Sequence, residues 1–196
     1  QVDEDFFTAR GMDPEGALYK MNNGITSTAN TEKRTRLHEG NADLEALIAG
    51  LAIGNPNRNT WLMDNVDLPS AINYFTCAIV TQDFDRFTKN YYIYRDTNGS
   101  GEWTQLPWDK DLTFGERFVS DDISGDGFLD ETPDSPDSTA HPFWCATGHA
   151  RHGVNNMVDA VIAHPAAREM YLRRLRTLMD EFLQPPATPA AQLKFE

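Results

Sequence analysis

Between Asp83 and Gly115 the chain reads Asp-Phe-Asp-Arg-Phe-Thr-Lys-Asn-Tyr-Tyr-Ile-Tyr-Arg-Asp-Thr-Asn-Gly-Ser-Gly-Glu-Trp-Thr-Gln-Leu-Pro-Trp-Asp-Lys-Asp-Leu-Thr-Phe-Gly. Aromatic and β-branched residues fill 90–95 and 103–108, and Asp-Thr-Asn-Gly-Ser-Gly between them supplies residues that accept positive φ. The stretch predicts a loop, a hairpin and a second loop. A turn centred between Gly99 and Ser100 sets Asn90 opposite Asp109 at the open end of the hairpin, where paired Cβ atoms are about 5 Å apart. An amide oxygen and a carboxylate at that place suit a hard cation such as Mg²⁺, which takes few protein oxygens. A bulge in the turn would shift the pairing by one residue and bring Lys110 or Asp111 into question.

Asp85 precedes Asn90 by the interval that separates the base Asp from the metal-binding Asn in the kinase pattern H-R-D-x-x-x-x-N. The order continues with Asn-Tyr-Tyr-x-Tyr, a Gly-rich turn, and Trp-x-x-x-Pro-Trp-Asp-x-Asp-x-Thr-Phe-Gly. This order resembles the spore coat protein H (CotH) kinase family of bacteria, an atypical branch of the protein-kinase-like fold. Gly16–Lys20, Glu32–Arg36 and the segment Asp43–Ile48 are similar too, so the resemblance spans most of 1–183. It implies an α+β fold: a mainly helical C-terminal lobe with a catalytic β-hairpin, its nucleotide-binding N-terminal lobe lying upstream. By position it implies Asp85 as the catalytic base and Asn90 and Asp109 as metal ligands, with Asp111 either a further ligand or a support for the loop. Asp83-Phe84-Asp85 stands where kinases carry His-Arg-Asp, so the identity of the base rests on spacing, which favours Asp85.

Composition narrows the partners. With 17 basic and 30 acidic residues the formal charge is −13, and nucleic-acid binding, which rests on Lys and Arg neutralising phosphates, is disfavoured. Binding a nucleotide through a metal stays open. No apolar run approaches the ~20 residues of a membrane span. Cys77 and Cys145 make no disulfide framework. The chain starts at Gln1 and reads as a piece of a longer, exported precursor; the family resemblance implies an extracytoplasmic or secreted protein.

Taken in order, residues 3–10 predict a helix stopped by Gly11, and Ala17–Met21 an edge strand ending near Lys20, the candidate for contact with a nucleotide phosphate. Residues 22–40 read as a polar loop. Asn41 is a good N-cap for a helix carrying Leu44, Leu47, Ile48 and Leu51, and Trp61–Asp64 looks like another helical turn. Leu68–Val80 is apolar on nearly all sides and should be central, a rigid base for the loop that follows. Asp122–Asp130 resembles the first half of an EF-hand loop, but Pro133 takes the place of the bidentate Glu, leaving a flexible acidic loop as the preferred reading and a weak Ca²⁺ site as the minor one. His141, Cys145, His149 and His152 match no standard zinc spacing. Asn155–Ala163 and Pro165–Leu183 predict two helices, the second burying Tyr171, Leu175, Leu178, Met179 and Phe182. Residues 184–196 read as a Pro/Ala-rich linker.

The expected function is ATP-dependent transfer of a phosphoryl group to protein hydroxyls, with Mg²⁺ or Mn²⁺ as the metal. The alternatives are a catalytically inactive kinase-like domain and an extracellular module that binds Ca²⁺ for rigidity. Metal-dependent hydrolysis ranks last, because no His lies in the central stretch.

Overall fold

The computed structural model describes residues 2, 4–81, 83, 87, 89–111, 113, 114 and 155–183. The acidic loop 122–130, the Cys145 and His cluster and the 184–196 tail lie outside them. Among the described residues the order is α1 (Glu4–Ala9), β1 (Ala17–Met21), β2 (Thr31–Lys33), α2 (Ala42–Leu51), α3 (Arg58–Asn65), α4 (Leu68–Val80), β3 (Tyr91–Arg95), β4 (Trp103–Pro107), α5 (Asn156–Ala163) and α6 (Pro165–Phe182). The fold is α+β. Its strands form one antiparallel sheet in the order β2-β1-β3-β4.

Both faces of that sheet are covered, which explains why Tyr91, Tyr92, Ile93 and Tyr94 are all buried. Successive strand residues point to opposite sides. Tyr19, Met21, Tyr91, Ile93 and Trp103 face a core shared with α2, α4, α5 and α6. Leu18, Tyr92 and Tyr94 face a smaller cluster in which Phe7 of α1 stacks on Tyr94, with Leu106 and Trp108 packed alongside. Gly16 admits that packing: a Cβ there would lie 2.4 Å from the Tyr94 ring.

Helix α4 is the central support, as its apolar circumference requires. Asp67 caps it by accepting from Ser70 N at 3.1 Å, and Leu68, Ala71, Ile72, Phe75 and Ile79 are buried along its length. Helix α3 is longer than the single turn expected at Trp61–Asp64.

Four expectations are corrected. The polar stretch 22–40 contains β2, whose three residues are too few to show a period of two. With β2 on one side and β3 on the other, β1 is an inner strand rather than an edge. Asn41 makes no side-chain cap bond at α2; the carboxylate of Asp43 instead accepts from Leu44 N and from the Tyr19 hydroxyl. Along α6, Tyr171, Leu175 and Leu178 are buried, but Met179 and Phe182 are exposed, because only the stripe facing α4 and α5 is covered.

Candidate functional site

The register of the β3–β4 hairpin decides where the site residues lie. Tyr91 pairs with Pro107 and Arg95 with Trp103, so the ladder runs one residue away from the expected register. The loop closes with Asp96 N donating to Glu102 O at 3.1 Å and Gly101 N donating to Asp96 O at 2.8 Å. Ser100 N donates to Asp96 Oδ2 at 2.7 Å, and Gly101 takes φ +78°. The turn is therefore centred on Gly99, an odd-membered loop organised by one carboxylate and one left-handed glycine. Asn90 consequently faces Trp108, whose N–H donates to Asn90 O at 3.3 Å, and Asp109 lies one residue beyond that pair. The two candidate ligands still leave adjacent strands at the same open end.

Both leave with left-handed backbones, Asn90 at φ 58° and Asp109 at φ 53°. Asn and Asp accept that region best among residues with a Cβ. Phe87 at φ 80° and Phe114 at φ 56° flank them, so four of the seven such positions among the described residues border this one site. Each costs on the order of 1–3 kcal/mol and persists only where its surroundings hold it.

Those surroundings are identifiable. The Phe87 ring meets Phe75 of α4 edge-on, with centroids 5.3 Å apart and an interplanar angle of 88°. The Phe87 carbonyl accepts from Asn155 Nδ2 at 2.8 Å, and Asn155 Oδ1 caps α5 by accepting from Met157 N and Val158 N. Next to it, Asn156 Nδ2 donates to Ile25 O at 2.8 Å, and the Tyr91 hydroxyl donates to Asn23 O at 2.6 Å. One helix start thus grips the loop before β3 and the loop after β1. The sequence signal was an Asn-Asn pair before an apolar helix, an N-cap signature that says nothing of its distant partner.

Asp83 is buried at 2 % exposure and its Oδ2 lies 2.7 Å from Lys110 Nζ. Its N–H donates to Ala78 O at 2.9 Å, and Phe114 N donates to Thr81 O at 2.6 Å. These contacts tie the end of α4 to the segment after Asp109. The Asp83 carboxylate and the Lys110 ammonium thus join the two segments by an ion pair. Asp85 lies outside the described residues.

Lys20 pairs with Tyr92 across the sheet and with Glu32 on its other side. Its Nζ sits 5.7 Å from the Trp108 ring centroid, and Trp108 packs edge-on against Tyr92 at 5.6 Å. The cation therefore stands beside the residue that precedes Asp109. Asp109 and Asp111 are both exposed, and neither carboxylate is held by another described side chain. Among the described residues no three His, Cys, Asp or Glu side chains group closely enough to hold a metal ion. The arrangement offers one amide, one or two open carboxylates and one ammonium around the mouth of a hairpin. No described helix is long and apolar enough to cross a membrane.

A family model described as CotH kinase protein matches residues 1–189. No curated protein matches the chain.

Proposed function

The chain belongs to the CotH kinase family, and we propose that it transfers a phosphoryl group from a metal-bound nucleotide to hydroxyls of a protein substrate, as the C-terminal lobe of a protein-kinase-like fold. The observation that carries this reading is the pair of left-handed residues, Asn90 and Asp109, at the open end of one rigid hairpin. Strain held at two oxygen-bearing side chains, within a family of kinases, favours a binding role for both.

The donor set fits a hard divalent cation: an amide oxygen, the exposed Asp109 carboxylate and, two residues on, the exposed Asp111 carboxylate. Mg²⁺ or Mn²⁺ bound there would neutralise charge on the phosphates of ATP. The chain's own residues supply position. Asn90 and Asp109 would hold the cation at the hairpin mouth, and Lys20 would attract the phosphates from its place over Trp108. Asp85 would orient the attacking hydroxyl and take its proton, being two residues from the anchored Asp83 and five from Asn90.

Calorimetry on the full-length protein tests the assignment. ATP with Mg²⁺ or Mn²⁺ should bind the parent, fail to bind Asp109→Ala, and bind Asp85→Ala while transfer from labelled ATP is lost. The absence of metal-dependent ATP binding in the parent would refute the proposal.

A further inference from the structure

A cavity lies between α4 and β4, away from the face that carries Lys20 and Trp108. It measures about 400 Å³, and its lining includes Tyr74, Cys77, Ala78, Gln105, Pro107 and Lys110. That volume falls within the range of small-molecule sites, which run to roughly 300–1,000 Å³. Apolar surface dominates the walls.

Two of its lining side chains are chemically unfinished. Gln105 is 3 % exposed, yet neither Nε2 nor Oε1 has a hydrogen-bond partner among the described residues. The Tyr74 hydroxyl is in the same condition. A buried polar group without a partner keeps the cost of its lost hydration, and such groups are rare in native proteins. Gln105 offers one donor and one acceptor side by side. Among the described lining residues the charged groups are Lys110 Nζ and Asp83 Oδ2, which lie 2.7 Å apart and neutralise each other. A charged ligand would therefore find no counter-charge to offset its desolvation.

We propose that this cavity binds an uncharged planar ligand of the aryl carboxamide class, its apolar ring between Tyr74 and Pro107 and its amide edge paired with that of Gln105. The Gln105 side chain turns its amide toward the ligand, and the Tyr74 hydroxyl completes the set. The site is independent of the nucleotide reading, because it uses neither Asn90 nor Asp109.

Cys77 provides a reporter, since its thiol is exposed and Cys77 lines the same cavity. In a Cys145→Ser background of the full-length protein, 2-naphthamide should raise Tm saturably and slow alkylation of Cys77 by iodoacetamide. 2-Acetonaphthone, which has the same outline without an N–H donor, should bind at least about tenfold more weakly, a 1.4 kcal/mol difference. Gln105→Leu should erase that difference and leave the ligand-free protein at least as heat-stable as the parent. Asp109→Ala should leave 2-naphthamide binding intact, separating this site from the metal site. No binding of 2-naphthamide, equal binding of the two compounds, or a preference that survives Gln105→Leu would each overturn the proposal.

Discussion

Replacing Asn155 tests how the loop before β3 is held. Its side chain is fully buried and performs two tasks: Oδ1 caps α5 through Met157 N and Val158 N, and Nδ2 donates to the carbonyl of Phe87. Losing an N-cap of this kind costs about 1 kcal/mol. Withdrawing a buried donor from a carbonyl costs about 1–3 kcal/mol. Asn155→Ala should therefore destabilise by about 2–4 kcal/mol, a large part of the roughly 5–15 kcal/mol that holds a domain together. Asn155→Asp separates the two tasks, because aspartate caps a helix as well as asparagine but offers Phe87 no donor. Urea denaturation followed by circular dichroism measures both, with the slope m expected to stay constant. Asn155→Asp should lose about 1–3 kcal/mol, the share belonging to the Phe87 bond. An Asn155→Asp protein as stable as the parent would show that this bond contributes nothing, and the anchoring argument would fail.

Three further outcomes follow from the geometry. Asp83→Asn and Lys110→Met should each cost about 3 kcal/mol, the low end for a broken buried pair because Lys110 keeps some exposure, while the double variant should cost less than the two added; additivity within about 0.5 kcal/mol would deny the coupling. Burial holds the Asp159 carboxyl above the ordinary carboxylate range, with Arg58 pulling the other way. The native state thus takes up this proton before the unfolded chain, and the associated stability is present below the unfolded pKa of about 3.9 and lost as pH rises through the higher native value. Asp159→Asn, which mimics the neutral form, should have a higher urea midpoint than the parent at pH 7, the gap closing toward pH 4; a gap independent of pH would contradict this. Gly101→Ala should lose about 1 kcal/mol through its left-handed backbone, read as a lower Tm.

Much of this fold could be read from local pattern. The aromatic hairpin, the apolar α4 and the helices after Asn155 each announce themselves through period or capping residues. Register could not be read in the same way. It depends on Asp96 drawing in Ser100 N and on Gly101 turning left-handed, so a count outward from the middle of the turn fell one residue short. Asn90 and Asp109 nevertheless remain at the hairpin mouth, since a one-residue slip moves neither off its strand end. The partners of these residues were harder to see. Asp83 with Lys110 joins positions on two separate loops, and Asn155 with Phe87 spans a separation of 68 residues. Nothing in a window of ten or twenty residues marks such pairs. Met179 and Phe182 belong to the apolar stripe by helical period yet stay exposed, because the period does not set the width of the cover.

The grip of α5 on two distant loops also fixes an order of assembly. The β3–β4 hairpin closes over a short loop and belongs to the microsecond class of events. β1 must then find β3 across the intervening helices, a slower search that topology imposes. Asn155 and Asn156 come later still along the chain, and their side-chain amides donate to Phe87 O and Ile25 O. During synthesis, the hairpin can be paired while the turn at Phe87 waits for its anchor. The turn at Phe87, and with it the approach to Asn90, is complete only when α5 has been made.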